Sequence, residues 1–125
     1  MDDVEARLTR VLGRWAAAST AVGAALALRR ATRGFGRQTV AWGVVDGAIA
    51  LVGARRRASR GPTDPERLRR VLLVNAVLDV GYLATGAWLV RDGRWRGDGA
   101  AVVVQGAFLL VLDAAVARAL HPGRR

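Results

Sequence analysis

Residues 71–90 read VLLVNAVLDVGYLATGAWLV, an apolar stretch that contains a single charged side chain, Asp79. A helix of about twenty apolar residues spans the hydrocarbon core of a bilayer. A carboxylate at that depth costs roughly 2.5–3.5 kcal/mol on insertion scales, so it is retained only with a partner, a proton or a function. Asp46 and Asp113 lie inside two other apolar stretches in the same way. The sequence therefore predicts a helical membrane protein with polar groups in its core.

The 125 residues form one domain of four helices with short connections. Charge clusters and turn residues place the helices at about 4–28, 38–54, 65–90 and 99–120. The predicted fold class is all-α, a bundle of four transmembrane spans. Trp15 lies near the end of a predicted span, where an aromatic belt would place it.

Two alternatives to this fold remain. The first helix could be a cleaved signal peptide, but the acidic Asp2, Asp3 and Glu5 make a poor amino-terminal region for one. The bundle could also be soluble. Against this, residues 100–112 contain Gln105 as their only strongly polar side chain and leave no face for water.

The two halves of the chain match at an offset of 63 residues. Val40 then meets Val103 without a gap, and the paired glycines are Gly23 with Gly86, Gly36 with Gly99, and Gly43 with Gly106. Chance matches are easy in a chain rich in alanine, glycine and arginine. The pattern nonetheless predicts a tandem duplication of a two-helix hairpin, with the copies related by an axis along the membrane normal.

All 20 basic residues are arginine, and the net charge is +10. The arginines bracket the apolar segments and form no single face, which disfavours nucleic-acid binding and favours contact with a bilayer, including its anionic lipids. Thirteen arginines lie in the amino-terminal segment, the middle loop and the carboxyl-terminal end, against seven in the other two loops. This bias predicts that both termini are cytoplasmic.

Polar and small residues form one stripe on the third helix, where Asn75, Asp79 and Tyr82 recur at helical spacing. Lipid cannot satisfy such a stripe, so it must face other helices or water. No Arg or His lies within the apolar parts of these spans to neutralise the carboxyl groups, and we expect the groups to share at least one proton. The predicted buried polar cluster is Asp46, Asn75, Asp79, Tyr82, Gln105 and Asp113. The glycines predicted at close helix contacts are Gly43, Gly47, Gly86 and Gly106.

Several chemistries lack their residues. There is no cysteine, and the one histidine, His121, is close to the end of the chain, so haem ligation and thiolate metal sites are excluded. Three carboxylates alone supply too few oxygens for a hard-cation cage. No nucleophile elbow or phosphate-binding loop is present. We therefore expect no metal, no cofactor and no enzymatic activity.

The strings QTVAWGVVDGAIA, VNAVLDVGYLATGAWL and GDGAAVVVQGAFLLVLD resemble a family of small four-helix bacterial membrane proteins of unknown function. The resemblance covers residues 38–113 and includes Asn75, Asp79, Gln105 and Asp113. It implies a multi-pass protein of the bacterial inner (plasma) membrane, and it implies no activity.

Two functions fit these patterns. The first is a structural or interaction subunit whose buried polar network fixes its assembly, as a homo-oligomer or with a partner membrane protein. The second is a small oligomeric transporter or channel coupled to protons or cations. A water-filled cavity that reaches Asp79 would favour transport, whereas a dry, fully bonded cluster would favour the structural subunit.

Overall fold

Four long α-helices account for most of the chain. The computed structural model describes residues 2–121 and Gly123, with side chains from Val4 onward. The helices are α1 (Asp2–Ala27), α2 (Arg33–Arg60), α3 (Pro65–Asp92) and α4 (Arg96–Ala119), with a short 3-10 helix (Arg30–Thr32) before α2. The described residues contain no β-strand, so the all-α prediction is confirmed. Arg124 and Arg125, which count toward the predicted orientation, lie outside the described residues.

The ends of α3 follow local sequence signals. Pro65 occupies the first turn, and the Asp64 carboxylate accepts a hydrogen bond of 3.1 Å from the Arg67 backbone N–H. Gly93 ends the helix in the left-handed conformation, with φ of 81°, which a residue without a Cβ adopts at little cost.

The helices α2 and α4 are longer than predicted. Helix α2 extends from Arg33 to Arg60, whereas the prediction ran from Gln38 to Ala54. Arginine is a good helix former, so Arg55–Arg57 continue the helix past its apolar part. The glycines at the start of α2 and α4 are helical, and each packs closely against another helix: Gly34, Gly36, Gly97 and Gly99. The end of an apolar run is therefore not the end of its helix.

The helices pair as two hairpins, α1 with α2 and α3 with α4. The hairpins meet mainly through α2 and α4, with a smaller contact between α1 and α4. The amino-terminal ends of α2 and α4 lie together, where Gly34 packs on Asp98 and Gly97 packs on Phe35. The two central helices are therefore parallel.

Equivalent glycine contacts hold each hairpin together. A Cβ added to Gly23 would lie 2.8 Å from the Gly36 carbonyl oxygen and 2.7 Å from the Val40 nitrogen. A Cβ added to Gly86 would lie 2.9 Å from the corresponding atoms of Gly99 and Val103. These residue pairs are related by the offset of 63, so both hairpins use the same close backbone approach.

The distribution of buried and exposed side chains departs from that of a water-soluble protein. The buried polar residues are Ser19, Thr39, Asp46, Asp79, Asp98, Gln105 and Asp113, whereas many large apolar side chains are exposed along α2 and α3. Val77, for example, is 73% exposed in the middle of α3. Soluble proteins rarely expose contiguous apolar surface of this kind.

Two helices, α3 and α4, are long and apolar enough to cross a membrane. Helices α1 and α2 do not meet this criterion of length and hydropathy. Arg10 and Arg14 shorten the apolar part of α1. Arginines flank the apolar part of α2, which contains Asp46. Two such helices are weak support for a membrane protein by themselves. The structure thus supports two of the four predicted spans, and the crossing by α1 and α2 stays a prediction.

We expect Gly86→Ala to destabilise the protein by about 1–3 kcal/mol, the usual effect of overpacking, because the new methyl group would meet the α4 backbone. Gly81→Ala is the matched control on the same helix, since nothing lies within 4 Å of its added Cβ. Alanine should there be neutral or stabilise the helix by up to about 1 kcal/mol. Thermal unfolding of the detergent-solubilised protein measures both variants. Equal midpoints for the two would contradict the close approach at Gly86.

Candidate functional site

A cavity of about 300 Å³ lies among the four helices. Its apolar wall consists of leucine, valine and isoleucine side chains from every helix. Its polar lining is Trp42 and Asp46 from α2, Asn75, Asp79 and Tyr82 from α3, and Asp113 from α4. Five of the six residues in the predicted polar cluster thus lie around one space.

Helical spacing brings these polar side chains together. Trp42 and Asp46 are four residues apart on α2, and Asn75 and Asp79 are four apart on α3, so each pair lies on one helix face. Both faces turn toward α4, which contributes Asp113. The three aspartates are 1%, 3% and 8% exposed, in chain order.

The Asp79 and Asp113 carboxyl groups lie within hydrogen-bonding reach of each other, and Asp46 is close enough to interact with both electrostatically. Two carboxyl groups form a hydrogen bond only when one of them carries a proton. Among the described residues, the acidic partners in ion pairs are Glu5, Glu66 and Asp98, and none of them lines the cavity. The cluster is therefore an acidic group whose negative charge no nearby arginine offsets.

Two carboxyl oxygens in the cluster lack a partner. Oδ2 of Asp46 and Oδ2 of Asp79 are buried and accept no hydrogen bond from the residues that the structure describes. Buried polar atoms are nearly always hydrogen-bonded, because leaving one unpaired costs about 1–3 kcal/mol. Two exceptions beside one cavity indicate that a proton, water or ligand completes the cluster.

The aromatic rings of Trp42 and Tyr82 meet at the side of the cavity. Their centroids are 5.1 Å apart, and the ring planes are inclined at 68°, an edge-to-face contact. The pair bridges α2 and α3, which approach each other less closely than the other neighbouring helices.

Gln105 does not join this cluster, which corrects the prediction. Its side-chain oxygen accepts a hydrogen bond of 2.8 Å from the Trp15 indole N–H, and its amide nitrogen donates one of 3.2 Å to the Ser19 hydroxyl. Gln105 precedes Asp113 by eight residues, or about 12 Å along α4 and roughly 80° around it. That displacement puts it on the α1 side of the bundle.

Trp15 makes a contact that was not predicted. Its ring stacks on Phe108, with centroids 3.8 Å apart and an interplanar angle of 7°. It therefore packs α1 on α4, and its place in an interfacial belt stays a prediction. No pattern in the sequence predicts the stacking of Trp15 on Phe108. At the offset of 63, Gln105 and Ser19 correspond to the cavity residues Trp42 and Tyr82.

The four predicted packing glycines differ in how tightly they are held. An added Cβ would lie 2.9 Å from the Thr20 nitrogen at Gly43 and 3.3 Å from the Leu83 nitrogen at Gly106. At Gly47 the nearest atom, the Ala16 Cβ, is 3.6 Å away, which is ordinary contact. Gly43 and Gly86 are thus at close helix approaches, Gly106 is at a slightly wider one, and Gly47 is in ordinary contact.

An ion pair outside the cavity was not predicted. The Arg37 guanidinium lies 2.9 Å from the carboxylate of Asp98, which is buried at the start of α4. The sequence predicts Asp98 in the loop before the fourth helix, where an acidic residue indicates no particular contact. Because α4 begins at Arg96, the carboxylate instead ties α2 to α4.

The chain belongs to a family of unknown function, DUF6992, whose sequence profile matches residues 11–114. The match confirms that the chain belongs to an uncharacterised family, as the resemblance over residues 38–113 implied. All of the polar side chains around the cavity fall within the match. No curated protein and no solved structure matches the chain.

Proposed function

We propose that this protein is an integral membrane protein whose four helices cross the bilayer and whose acidic cavity binds a cation in exchange for a proton. The observation that carries the proposal is the pair of buried carboxyl oxygens, on Asp46 and Asp79, that lack partners beside a cavity. A proton-coupled cation transporter needs such a site, because its carboxylates must accept either occupant.

The surface supports a membrane location. Large apolar side chains are exposed along α2 and α3, several polar groups are buried between helices, and α3 and α4 have the length and composition of spans. If α3 and α4 cross the bilayer, the shared hairpin packing takes α1 and α2 across with them. The aspartates would then be buried between helices rather than exposed to lipid, as the energy of charged groups in hydrocarbon requires.

The acid pair supports proton exchange. The contact between Asp79 and Asp113 needs one proton, and a cation that binds both carboxylates would displace it. In this proposal the protein is not an enzyme and needs no cofactor. The residues that line the cavity come from one chain, and in this proposal a second copy would support assembly.

A structural or interaction subunit is the second candidate. The contacts of Trp15, Ser19 and Gln105 support it, because they form a bonded polar group between α1 and α4. That half of the molecule matches the expected structural network. The acidic cluster around the cavity does not, since Oδ2 of Asp46 and Oδ2 of Asp79 accept no hydrogen bond from an N–H or O–H of the described residues.

The proposed orientation places both termini in the cytoplasm of a plasma membrane, where arginines next to the bilayer would also contact anionic lipids. Single cysteines at Ser59 and Arg94, both exposed, test this with an impermeant thiol reagent in intact cells. We expect labelling at position 94 and protection at position 59 until the membrane is permeabilised. Labelling at 59 alone would reverse the orientation, and labelling at both would argue against the spans.

Proteoliposomes with an imposed pH gradient test the function. Sodium, potassium, tetramethylammonium and octyltrimethylammonium are added outside in turn, and a trapped pH dye reports proton movement. We expect at least one of these cations to accelerate the loss of the gradient relative to protein-free vesicles. If none of the four does so, the exchange proposal is wrong and the structural subunit is the better account.

A further inference from the structure

The two halves of the bundle differ at the positions that would close the cavity. At the offset of 63, Trp15 corresponds to Leu78 and its stacking partner Phe108 corresponds to Val45. The larger pair fills the space between α1 and α4. The smaller pair faces the space between α2 and α3, and both of its members line the cavity.

The gap between α2 and α3 is open to the side. Val45 and Leu78 are 50% and 51% exposed although they line the cavity. The cavity is closed toward the arginine-rich end, because Leu8, Leu68 and Leu72 belong both to its wall and to the apolar cluster around Leu120. The exposure of Val45 and Leu78 indicates access from the side, toward the surface that lipid would cover.

The carboxyl groups lie on the same side of the bundle as the opening between α2 and α3. The residues at the positions of Asp79 and Asp113 in the first copy are Ala16 and Ala50, which are buried without any carboxyl group. The acidic pair and the opening thus occur together on one side of the repeat, and the opposite side has neither.

The lining specifies the ligand that would fit. Carboxylates and the Trp42–Tyr82 ring pair favour a cationic head group, since aromatic faces attract ammonium ions. The remaining wall is aliphatic and favours an apolar body. A volume of about 300 Å³ is at the lower end of the range for small organic ligands and far exceeds the space of one water, roughly 30 Å³.

We propose that the cavity accepts an amphipathic organic ammonium ion, which enters from the lipid between α2 and α3 and places its charged head at Asp46, Asp79 and Asp113. This inference rests on the proposed function and names the class of cation. An inorganic cation would need neither the apolar wall nor the lateral opening.

Equilibrium dialysis of the protein in maltoside micelles, against empty micelles, tests the inference. The probe is radiolabelled octyltrimethylammonium, compared with tetramethylammonium, which lacks the chain, and with octyl sulfate, which reverses the charge. We expect saturable binding of the first and at least about tenfold weaker binding of the other two, or about 1.4 kcal/mol. Equal affinity for tetramethylammonium, or tighter binding of octyl sulfate, would overturn the inference.

The repeat itself provides the blocking substitution. Leu78→Trp copies Trp15 into the open half and should weaken octyltrimethylammonium binding at least about tenfold. Val77→Trp adds the same ring on the outer face of α3 and should leave the affinity unchanged. If Leu78→Trp does not fold, Val45→Phe, which copies Phe108, replaces it. Unchanged binding in the folded blocking variant would contradict lateral access.

The remaining outcomes separate the two proposals. If octyltrimethylammonium does not bind but an inorganic cation still moves protons in vesicles, the exchange function stands and the ligand class is wrong. If light scattering shows a dimer that Leu78→Trp dissociates, a second copy fills the gap and the inference also fails. If no cation binds or moves protons, both proposals fail.

Discussion

Asp79→Asn is expected to reduce proton-linked cation movement in proteoliposomes to the level of protein-free vesicles. The asparagine keeps the shape of the side chain and its hydrogen-bonding capacity, so the bundle should assemble. It removes the charge that a cation would pair with and one of the two carboxyl groups that are proposed to share a proton. The dye measurement with a pH gradient reads the loss directly.

Asp92→Asn is the matched control for this prediction. Asp92 is exposed at the end of the same helix and lies outside the cavity. It should exchange protons and cations at the wild-type rate. Normal exchange in Asp79→Asn would remove the carboxylate cluster from the mechanism and favour a structural role for it.

Gln105→Leu is expected to destabilise the protein by about 2–3 kcal/mol. Leucine fills a similar volume but leaves the Trp15 indole N–H and the Ser19 hydroxyl without their partner, and an unsatisfied buried polar group costs about 1–3 kcal/mol. Val104→Leu, at an exposed neighbouring position, should change stability by less than about 0.5 kcal/mol. Thermal unfolding in detergent measures both.

A double-mutant cycle shows whether the effect comes from the hydrogen bond. Trp15→Phe removes the indole N–H, so Gln105→Leu should cost less in that background than in the wild type. Fully additive losses would mean that the two residues contribute independently and that the bonded network is not a unit.

The convergence of Asp46 and Asp79 could be inferred from the sequence. Asp46 and Asp79 each lie nine residues from an arginine at one end of their helices, at Arg55 and Arg70, which places them at one depth. The helical spacing of Asn75, Asp79 and Tyr82 then selects one face of α3. Depth and face together define a cluster, and all of these residues line the cavity.

The position of Gln105 could not be inferred in the same way. A buried polar residue on an apolar helix must face other helices. In this bundle, a residue of α4 can face either α1 or the cavity. Which side Gln105 faces depends on how α4 is rotated against α1 and α3, and that rotation is set by packing, such as the stacking of Trp15 on Phe108. Periodicity shows that a residue is interior and does not identify its partner.

The difference between the two repeat copies could also be predicted from the sequence. The offset of 63 already related Gly23 to Gly86, and it also relates Trp15 to Leu78 and Ala16 to Asp79. The matches at this offset predict the duplication, and the mismatches show where the two copies differ. In a duplicated hairpin, a change from a large to a small side chain at the interface marks the place where a cavity can open.

The number of protons released when a cation binds tests the central claim most directly. Purified protein in weakly buffered detergent solution is titrated with the cation that is active in vesicles, and a pH dye counts the protons released. The shared proton between Asp79 and Asp113 predicts about one proton per bound cation, and none from Asp113→Asn. Saturable cation binding to the wild-type protein without proton release would contradict the exchange of the two in this cavity.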